Sequence, residues 1–114
     1  VDIALDTFPY AGGTTTCDTL MMGLPVASIA GERTLARSGV SLLRTVGLED
    51  WIATSASALP ALLQRQLADP ARIAALRAEL PARVRASPLM DAPRFVRSLE
   101  GHFYTVWQRW LASS

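Results

Sequence analysis

Apolar residues follow two different periods along this chain, and the change of period predicts an α/β half followed by a helical half. The run VDIALDTF has apolar residues at alternate positions. Because Ala4 between them is also apolar, the pattern predicts a strand that is covered on both faces, as in a parallel sheet. PVASIA predicts a second strand and Trp51 to Ala53 a third.

A helix is predicted between the first two strands, from Thr14 to Met22, with Gly23 at its C-terminal cap. Strand, helix and strand in this order form a βαβ unit, for which a right-handed crossover is expected. A second helix is predicted before Gly47, although Gly39 weakens it locally. Its apolar face would contain Leu35, Leu42, Leu43 and Val46.

Helical spacing dominates the second half of the chain. One helix is predicted from Ser57, as its N-cap, to Leu67, and another from Ala71 until Pro81 interrupts or kinks it. SPLMDAP is interpreted as an ordered loop. The final helix is predicted from Arg94 and would present one broad aromatic face, with Phe95, Leu99, Phe103, Val106 and Trp110.

Composition narrows the class of protein. The chain has 114 residues, half of them hydrophobic, and no apolar run approaches the roughly 20 residues of a membrane span. A net charge of +1 without a basic stripe argues against nucleic acid as a partner, and the single Cys17 excludes an internal disulfide. We expect a soluble, cytoplasmic protein. Because Val1 already lies in an apparent strand, we expect this chain to be part of a longer protein.

The turn that leads into the first helix carries the candidate chemistry. Gly12 and Gly13 leave the backbone bare, and Thr14, Thr15 and Thr16 follow at the positive end of the helix dipole. This arrangement is typical of a phosphate site. The alternative is purely structural: Thr15 would be the N-cap, and Asp18 would complete a variant capping box. A capped helix start can still hold an anion, so both interpretations stay open.

Two common nucleotide motifs are excluded. The chain has no lysine, which the P-loop requires, and GGTTTC lacks the third glycine of the dinucleotide fingerprint. The remaining interpretation is a nucleotide diphosphate that is bound without either of these motifs. Since no metal-ligand set clusters along the sequence, we expect neither a metal nor a cofactor.

Three further side chains have chemical potential. Asp6 ends the first strand, where ligands of open α/β sheets bind, but it could equally anchor the FPYAGG turn. Cys17 at a helix start could be a nucleophile, and His102 could be a general base. For both, a structural role is the favoured interpretation, since neither has a chemical partner nearby in sequence.

The ordered set LDTFPY, TTT-C-D, MGLPV and GER makes the stretch from Asp2 to about Leu48 similar to one family. It resembles the C-terminal catalytic region of the protein O-linked N-acetylglucosamine transferases and the Spindly-type protein O-fucosyltransferases. The resemblance continues more weakly through SPLMDAPRFVRSLEGHFYTVWQRW, as in bacterial members. It implies a GT-B glycosyltransferase, with two Rossmann-like domains and the donor in the cleft between them.

Within that architecture the chain would form the C-terminal part of the second Rossmann-like domain. Residues 1–56 would be its βαβ nucleotide-diphosphate-binding part and residues 57–114 its C-terminal helical part. The resemblance implies that Gly12, Gly13 and the amides of Thr14–Thr16 contact the donor diphosphate and that Asp18 binds the ribose. The catalytic residues would lie upstream of Val1, along with the phosphate-binding lysine and often tetratricopeptide repeats.

The activity so implied is inverting transfer of N-acetylglucosamine from UDP-GlcNAc to Ser or Thr hydroxyls of proteins. Its partners would be a sugar nucleotide, an acceptor protein or peptide and the upstream domains of the same polypeptide. The animal enzymes carry a histidine where this chain has Gly13, which leaves the donor sugar open. The alternatives are another GT-B sugar-nucleotide transferase, such as a protein O-fucosyltransferase, or a non-catalytic nucleotide-binding or assembly module.

Overall fold

A computed structural model describes residues 1–113, and its centre is a small parallel sheet. The strands are β1 (Ala4–Leu5), β2 (Val26–Ile29) and β3 (Ile52–Ala53), in the spatial order β1-β2-β3. Both pairs are parallel, with Ala4 opposite Val26. The parallel α/β organisation is therefore confirmed, although the strands are shorter than the apolar runs that predicted them.

Five α-helices connect and follow these strands: α1 (Thr14–Met21), α2 (Ser38–Thr45), α3 (Leu59–Leu67), α4 (Pro70–Ala86) and α5 (Ala92–Ser113). Three short 3-10 turns, Thr34–Ala36, Glu49–Trp51 and Pro88–Met90, lie between them. Helices α1, α2 and α3 pack on the sheet, and α4 packs against α1 and α3. The first four helices thus enclose the sheet and its core.

Glycine ends α1 and α2 as the sequence predicts. Gly23 has φ of 79° and Gly47 has φ of 72°, both in the left-handed region that favours glycine. After α1, the N–H of Gly23 donates to the carbonyl of Leu20 at 3.0 Å and that of Leu24 donates to Thr19 at 3.1 Å. These two bonds are the Schellman pattern, which satisfies the last carbonyls of the helix.

The hydrophobic core lies between the sheet and the helices. It is formed by Leu20, Val26, Ala27, Leu43, Val46, Leu48, Trp51, Ala53, Leu62, Leu80 and Val84. The prediction that Leu35 belongs to the buried face of α2 is wrong. Leu35 lies in the 3-10 turn before the helix and is 60% exposed. Gly39 and Val40 are buried in α2 instead, because the helix begins only at Ser38.

Two predicted helix boundaries also differ. The N-cap of α3 is Ala58, not Ser57, and the hydroxyl of Ser55 accepts the Ala58 N–H at 3.2 Å. Pro81 does not interrupt α4, which continues to Ala86. Because Pro81 has no N–H, it cannot donate the usual helical hydrogen bond to the carbonyl of Arg77, four residues earlier.

The last helix is confirmed, two residues longer at its start than predicted. It packs against the 3-10 turn Pro88–Met90, and none of its described residues is buried. Its aromatic side chains are largely exposed, and the rings of Trp107 and Trp110 stack with centroids 5.1 Å apart. None of the helices in residues 1–113 is long and apolar enough to cross a membrane.

Candidate functional site

The first turn of α1 presents free backbone amides. The helix begins at Thr14 with Gly13 as its N-cap, and no side chain caps it. Within residues 1–113, the amides of Thr14, Thr15 and Thr16 donate no hydrogen bond. Three N–H groups at a helix N-terminus, together with the dipole, are a ready site for an anion.

The capping-box interpretation of this turn is wrong. A capping box would place Thr15 at the N-cap and the Asp18 carboxylate on a backbone N–H. Thr15 instead lies inside the helix, and the Asp18 side chain is exposed without a hydrogen bond or ion pair to another described residue. The threonines therefore do not cap α1, which leaves the amides for another group.

The sequence-predicted residues of the turn differ in how exposed they are. Gly13, Thr14 and Thr15 are exposed, Gly12 is half-buried and Thr16 is buried at 4% exposure. A Cβ placed on Gly12 would lie 2.6 Å from Oγ1 of Thr16, so this hydroxyl faces the turn. The surface offered to a ligand is formed by Gly13 and the first two threonines, with Asp18 one turn along the helix.

Asp6 anchors the turn, which decides between its two candidate roles. Its Oδ1 accepts the N–H of Gly12 at 2.7 Å and that of Thr7 at 3.0 Å. Its Oδ2 accepts the hydroxyl of Ser28 at 2.6 Å. Each carboxylate oxygen thus has a donor, and the bond to Gly12 closes the loop between β1 and α1.

Two residues of this anchor were not singled out by sequence reasoning. Ser28 is 2% exposed and lies in β2, and a Cβ on Gly39 would overlap Asp6 Oδ2 and Ser28 Oγ. The signals were a polar residue in the apolar run PVASIA and a glycine in a helical segment. Helix α2 also holds the turn, because Ser38 Oγ donates to the Ala11 carbonyl at 3.2 Å.

A groove of about 540 Å³ lies beyond this anchor, at the carboxyl ends of β2 and β3. Phe8 and Tyr10 from the turn line one part of it, and Gly31, Leu35 and Thr54 line another. Arg37 supports this edge by donating to the Gly31 carbonyl at 2.9 Å. Ligands of open α/β sheets bind at this edge of the sheet.

The side chains of the other two candidates, Cys17 and His102, make no hydrogen bond or ion pair with the turn among residues 1–113. Cys17 is half-buried in α1. His102 lies on α5, where it is exposed. Neither has a hydrogen-bond or ion-pair partner in the described part of the chain that would form a nucleophile–base pair. The structure therefore gives neither residue a place in the site.

Comparison with known proteins adds to this geometry. A family model described as glycosyl transferase family 41 matches residues 1–99. Plant proteins named probable UDP-N-acetylglucosamine–peptide N-acetylglucosaminyltransferase SPINDLY are similar over 110 residues, with 39% identity in Solanum lycopersicum and 41% in Oryza sativa. These matches cover 96% of the chain but only 12% of each relative.

A solved mutant O-GlcNAc transferase of Thermobaculum terrenum has the same fold over this region. It superposes with a TM-score of 0.85 at 31% sequence identity, covering 96% of this chain and 21% of the other. The chain therefore corresponds to a small part of each of these relatives. Its α/β fold is that of the matching part of an O-GlcNAc transferase.

Proposed function

The chain belongs to glycosyl transferase family 41, and we propose that it is the donor-binding C-terminal part of a protein O-GlcNAc transferase. The donor is UDP-GlcNAc, and the acceptor is a Ser or Thr hydroxyl of a protein. The other domain of the GT-B architecture and the tetratricopeptide repeats that hold the acceptor belong to the same, longer polypeptide. The protein is bacterial and works in the cytoplasm.

One observation carries this proposal: the open N-terminus of α1. The amides of Thr14, Thr15 and Thr16 are without acceptors in residues 1–113, and Gly13 places no side chain in front of them. A diphosphate would accept these N–H groups. Asp18, exposed one turn further on and without a side-chain partner in residues 1–113, would accept hydrogen bonds from the ribose hydroxyls.

The reaction inverts the configuration at the sugar carbon. The acceptor hydroxyl oxygen attacks that carbon, its bond to the diphosphate oxygen breaks, and the hydroxyl proton passes to a base outside this chain. Negative charge grows on the departing diphosphate, and amides already oriented towards it stabilise that charge. Loss of one comparable donor costs about 3 kcal/mol in well-characterised enzymes. In the proposal these amides, and not a metal ion, stabilise the departing diphosphate, so a chelator should leave the rate of sugar transfer unchanged.

The isolated chain should be inactive. In the family, the lysine that binds the diphosphate and the residues that recognise the base precede the segment that matches Val1. This chain contains no lysine. A 114-residue protein that transferred sugar as fast as the full-length protein would refute this assignment.

Two alternatives have the same diphosphate site. A protein O-fucosyltransferase would use GDP-fucose, and a nucleotide-binding module would bind a donor without transferring it. Titration calorimetry of the full-length protein with UDP and GDP separates the donors, and an assay with UDP-GlcNAc and a Ser/Thr peptide detects transfer. UDP binding with transfer supports the proposal. GDP preference favours the fucosyltransferase, binding without transfer favours the module, and no binding of either nucleotide overturns all three.

A further inference from the structure

We propose that Asp6 is the positioning residue of the diphosphate site, an inference that rests on the proposed function. We assign Asp6 no direct contact with the sugar nucleotide. It acts through Gly12, six residues later in the loop between β1 and α1, whose N–H it accepts at 2.7 Å. The carboxylate thereby fixes the point from which the chain enters the helix.

The position at which the chain enters α1 determines where the N–H groups proposed to bind the diphosphate lie. Gly13 is the N-cap, and its carbonyl accepts the N–H of Cys17 at 3.1 Å, which sets the first turn of α1. Gly12 is the residue immediately before this cap. If its bond to Asp6 is lost, Gly12 and Gly13 regain the backbone freedom that glycine has in a loop. The amides of Thr14 and Thr15 would then have to be ordered by the ligand, and this cost would weaken binding.

Asp6 is itself held from two sides. Ser28, buried in β2, donates to Oδ2 at 2.6 Å. The backbone of Gly39 in α2 lies so close that a Cβ there would overlap this oxygen. The carboxylate therefore joins the end of β1, the turn, the neighbouring strand and α2 in one contact. Its side chain is fixed by packing as well as by hydrogen bonds.

The negative charge of Asp6 does not itself favour diphosphate binding. A carboxylate near a diphosphate repels it, so any benefit must come from the hydrogen bonds. An asparagine has the same shape, and its Oδ1 can still accept from Gly12 and Thr7. Its Nδ2 can donate to the Ser28 hydroxyl, which reverses that bond and keeps it. A positioning role therefore predicts that Asp6→Asn preserves donor binding, whereas Asp6→Ala does not.

The test is UDP affinity by titration calorimetry on the full-length protein, for wild type, Asp6→Ala and Asp6→Asn. Each protein is kept well below its own melting temperature. Asp6→Ala is expected to bind UDP about ten-fold more weakly, the size of one lost hydrogen bond to a charged group. Asp6→Asn is expected to stay within about three-fold of wild type. Ser28→Ala, which removes only the bond to Oδ2, provides a milder variant if Asp6→Ala does not fold.

The outcomes separate this inference from the proposed function. Wild-type protein that fails to bind UDP overturns the function and this inference with it. If wild type and folded Asp6→Ala bind UDP equally well, the inference alone is overturned and Asp6 is merely structural. A lower melting temperature of Asp6→Ala with unchanged UDP affinity leads to the same conclusion. If Asp6→Ala does not fold, Ser28→Ala is expected to bind UDP about three-fold more weakly, because the carboxylate that holds Gly12 loses its own anchor in β2, and unchanged affinity then overturns the inference. Asp6→Asn as weak as Asp6→Ala also contradicts it, because the charge would then matter.

Discussion

Gly12 lies so close to Thr16 that a methyl group on Gly12 would stand 2.6 Å from the Thr16 hydroxyl oxygen. The same methyl group would lie 3.2 Å from Oδ1 of Asp6. At Gly13, one residue later, an added Cβ would have no atom within 4 Å from residues 1–113 other than its two chain neighbours. Two adjacent glycines of the same turn thus have opposite steric environments.

Gly12→Ala should destabilise the protein far more than Gly13→Ala. We expect Gly12→Ala to cost about 3 kcal/mol, because neither the bonded Asp6 nor the buried Thr16 can move away freely. Gly13→Ala should cost at most about 1 kcal/mol, the usual loss for alanine at an N-cap. Urea unfolding of the two variants measures this difference. Equal costs would mean that the turn is less tightly packed than described.

Asp18 should matter for nucleotide binding and not for stability. Its side chain makes no hydrogen bond or ion pair with the rest of residues 1–113, so Asp18→Ala should change the free energy of unfolding by less than about 0.5 kcal/mol. The same change should weaken UDP binding by about ten-fold or more, because the ribose hydroxyls lose a charged acceptor. Calorimetric titration and thermal unfolding of the same full-length variant give both numbers. A capping role would produce the opposite balance.

The two C-cap glycines offer a matched pair for stability. Gly47→Ala should cost about 1 kcal/mol, because a residue with a Cβ is strained at φ of 72° while the nearest atom is 3.9 Å away. Gly23→Ala should cost clearly more. There the added Cβ would also lie 2.7 Å from the carbonyl oxygen of Arg77 in α4. Chemical unfolding of both variants tests the ranking, which would be contradicted by equal losses.

Leu43 and Leu35 test the corrected boundary of α2. Leu43 is fully buried in the core, so Leu43→Ala should cost about 2 to 5 kcal/mol. Leu35 is 60% exposed in the 3-10 turn, and Leu35→Ala should cost less than about 1 kcal/mol. The sequence pattern alone places both residues on one buried face and would predict similar losses. Thermal unfolding distinguishes the two accounts.

Local signals in the sequence were sufficient for the main architecture. The left-handed conformations at Gly23 and Gly47 and the parallel pairing of β1 with β2 follow from glycine position and continuous apolar runs. Boundaries were less predictable when they depended on tertiary contacts. Helix α2 starts at Ser38, and in its first turn Gly39 packs against Asp6 and Ser28, contacts between residues that are far apart in sequence.

The candidate site was predictable only in part, for the same reason. Glycines before threonines at a helix start are typical of an anion site, so the helix start at Thr14 was predicted, and its binding of a diphosphate stays a prediction. For Asp6 the sequence left two roles open, because its partner Ser28 lies 22 residues away on another strand. For α4 the sequence left an interruption or a kink at Pro81 open, and the helix continues through Pro81 to Ala86, packed against α1.

The most direct test of the account concerns the free amides of α1. Changing Thr14 and Thr15 together to proline removes two N–H groups, and proline is tolerated in a first turn because these groups have no helical partner. Changing both to alanine keeps the amides and removes only the hydroxyls. The two double variants of the full-length protein therefore differ at the atoms that the account assigns to the diphosphate.

UDP affinity by calorimetric titration is the measurement, with thermal unfolding to establish that each variant is folded. The double proline variant is expected to lose at least about a hundred-fold in UDP affinity, while the double alanine variant loses only a few-fold. A folded proline variant that binds UDP as tightly as the alanine variant would contradict the account. It would show that the diphosphate is not held at the N-terminus of this helix.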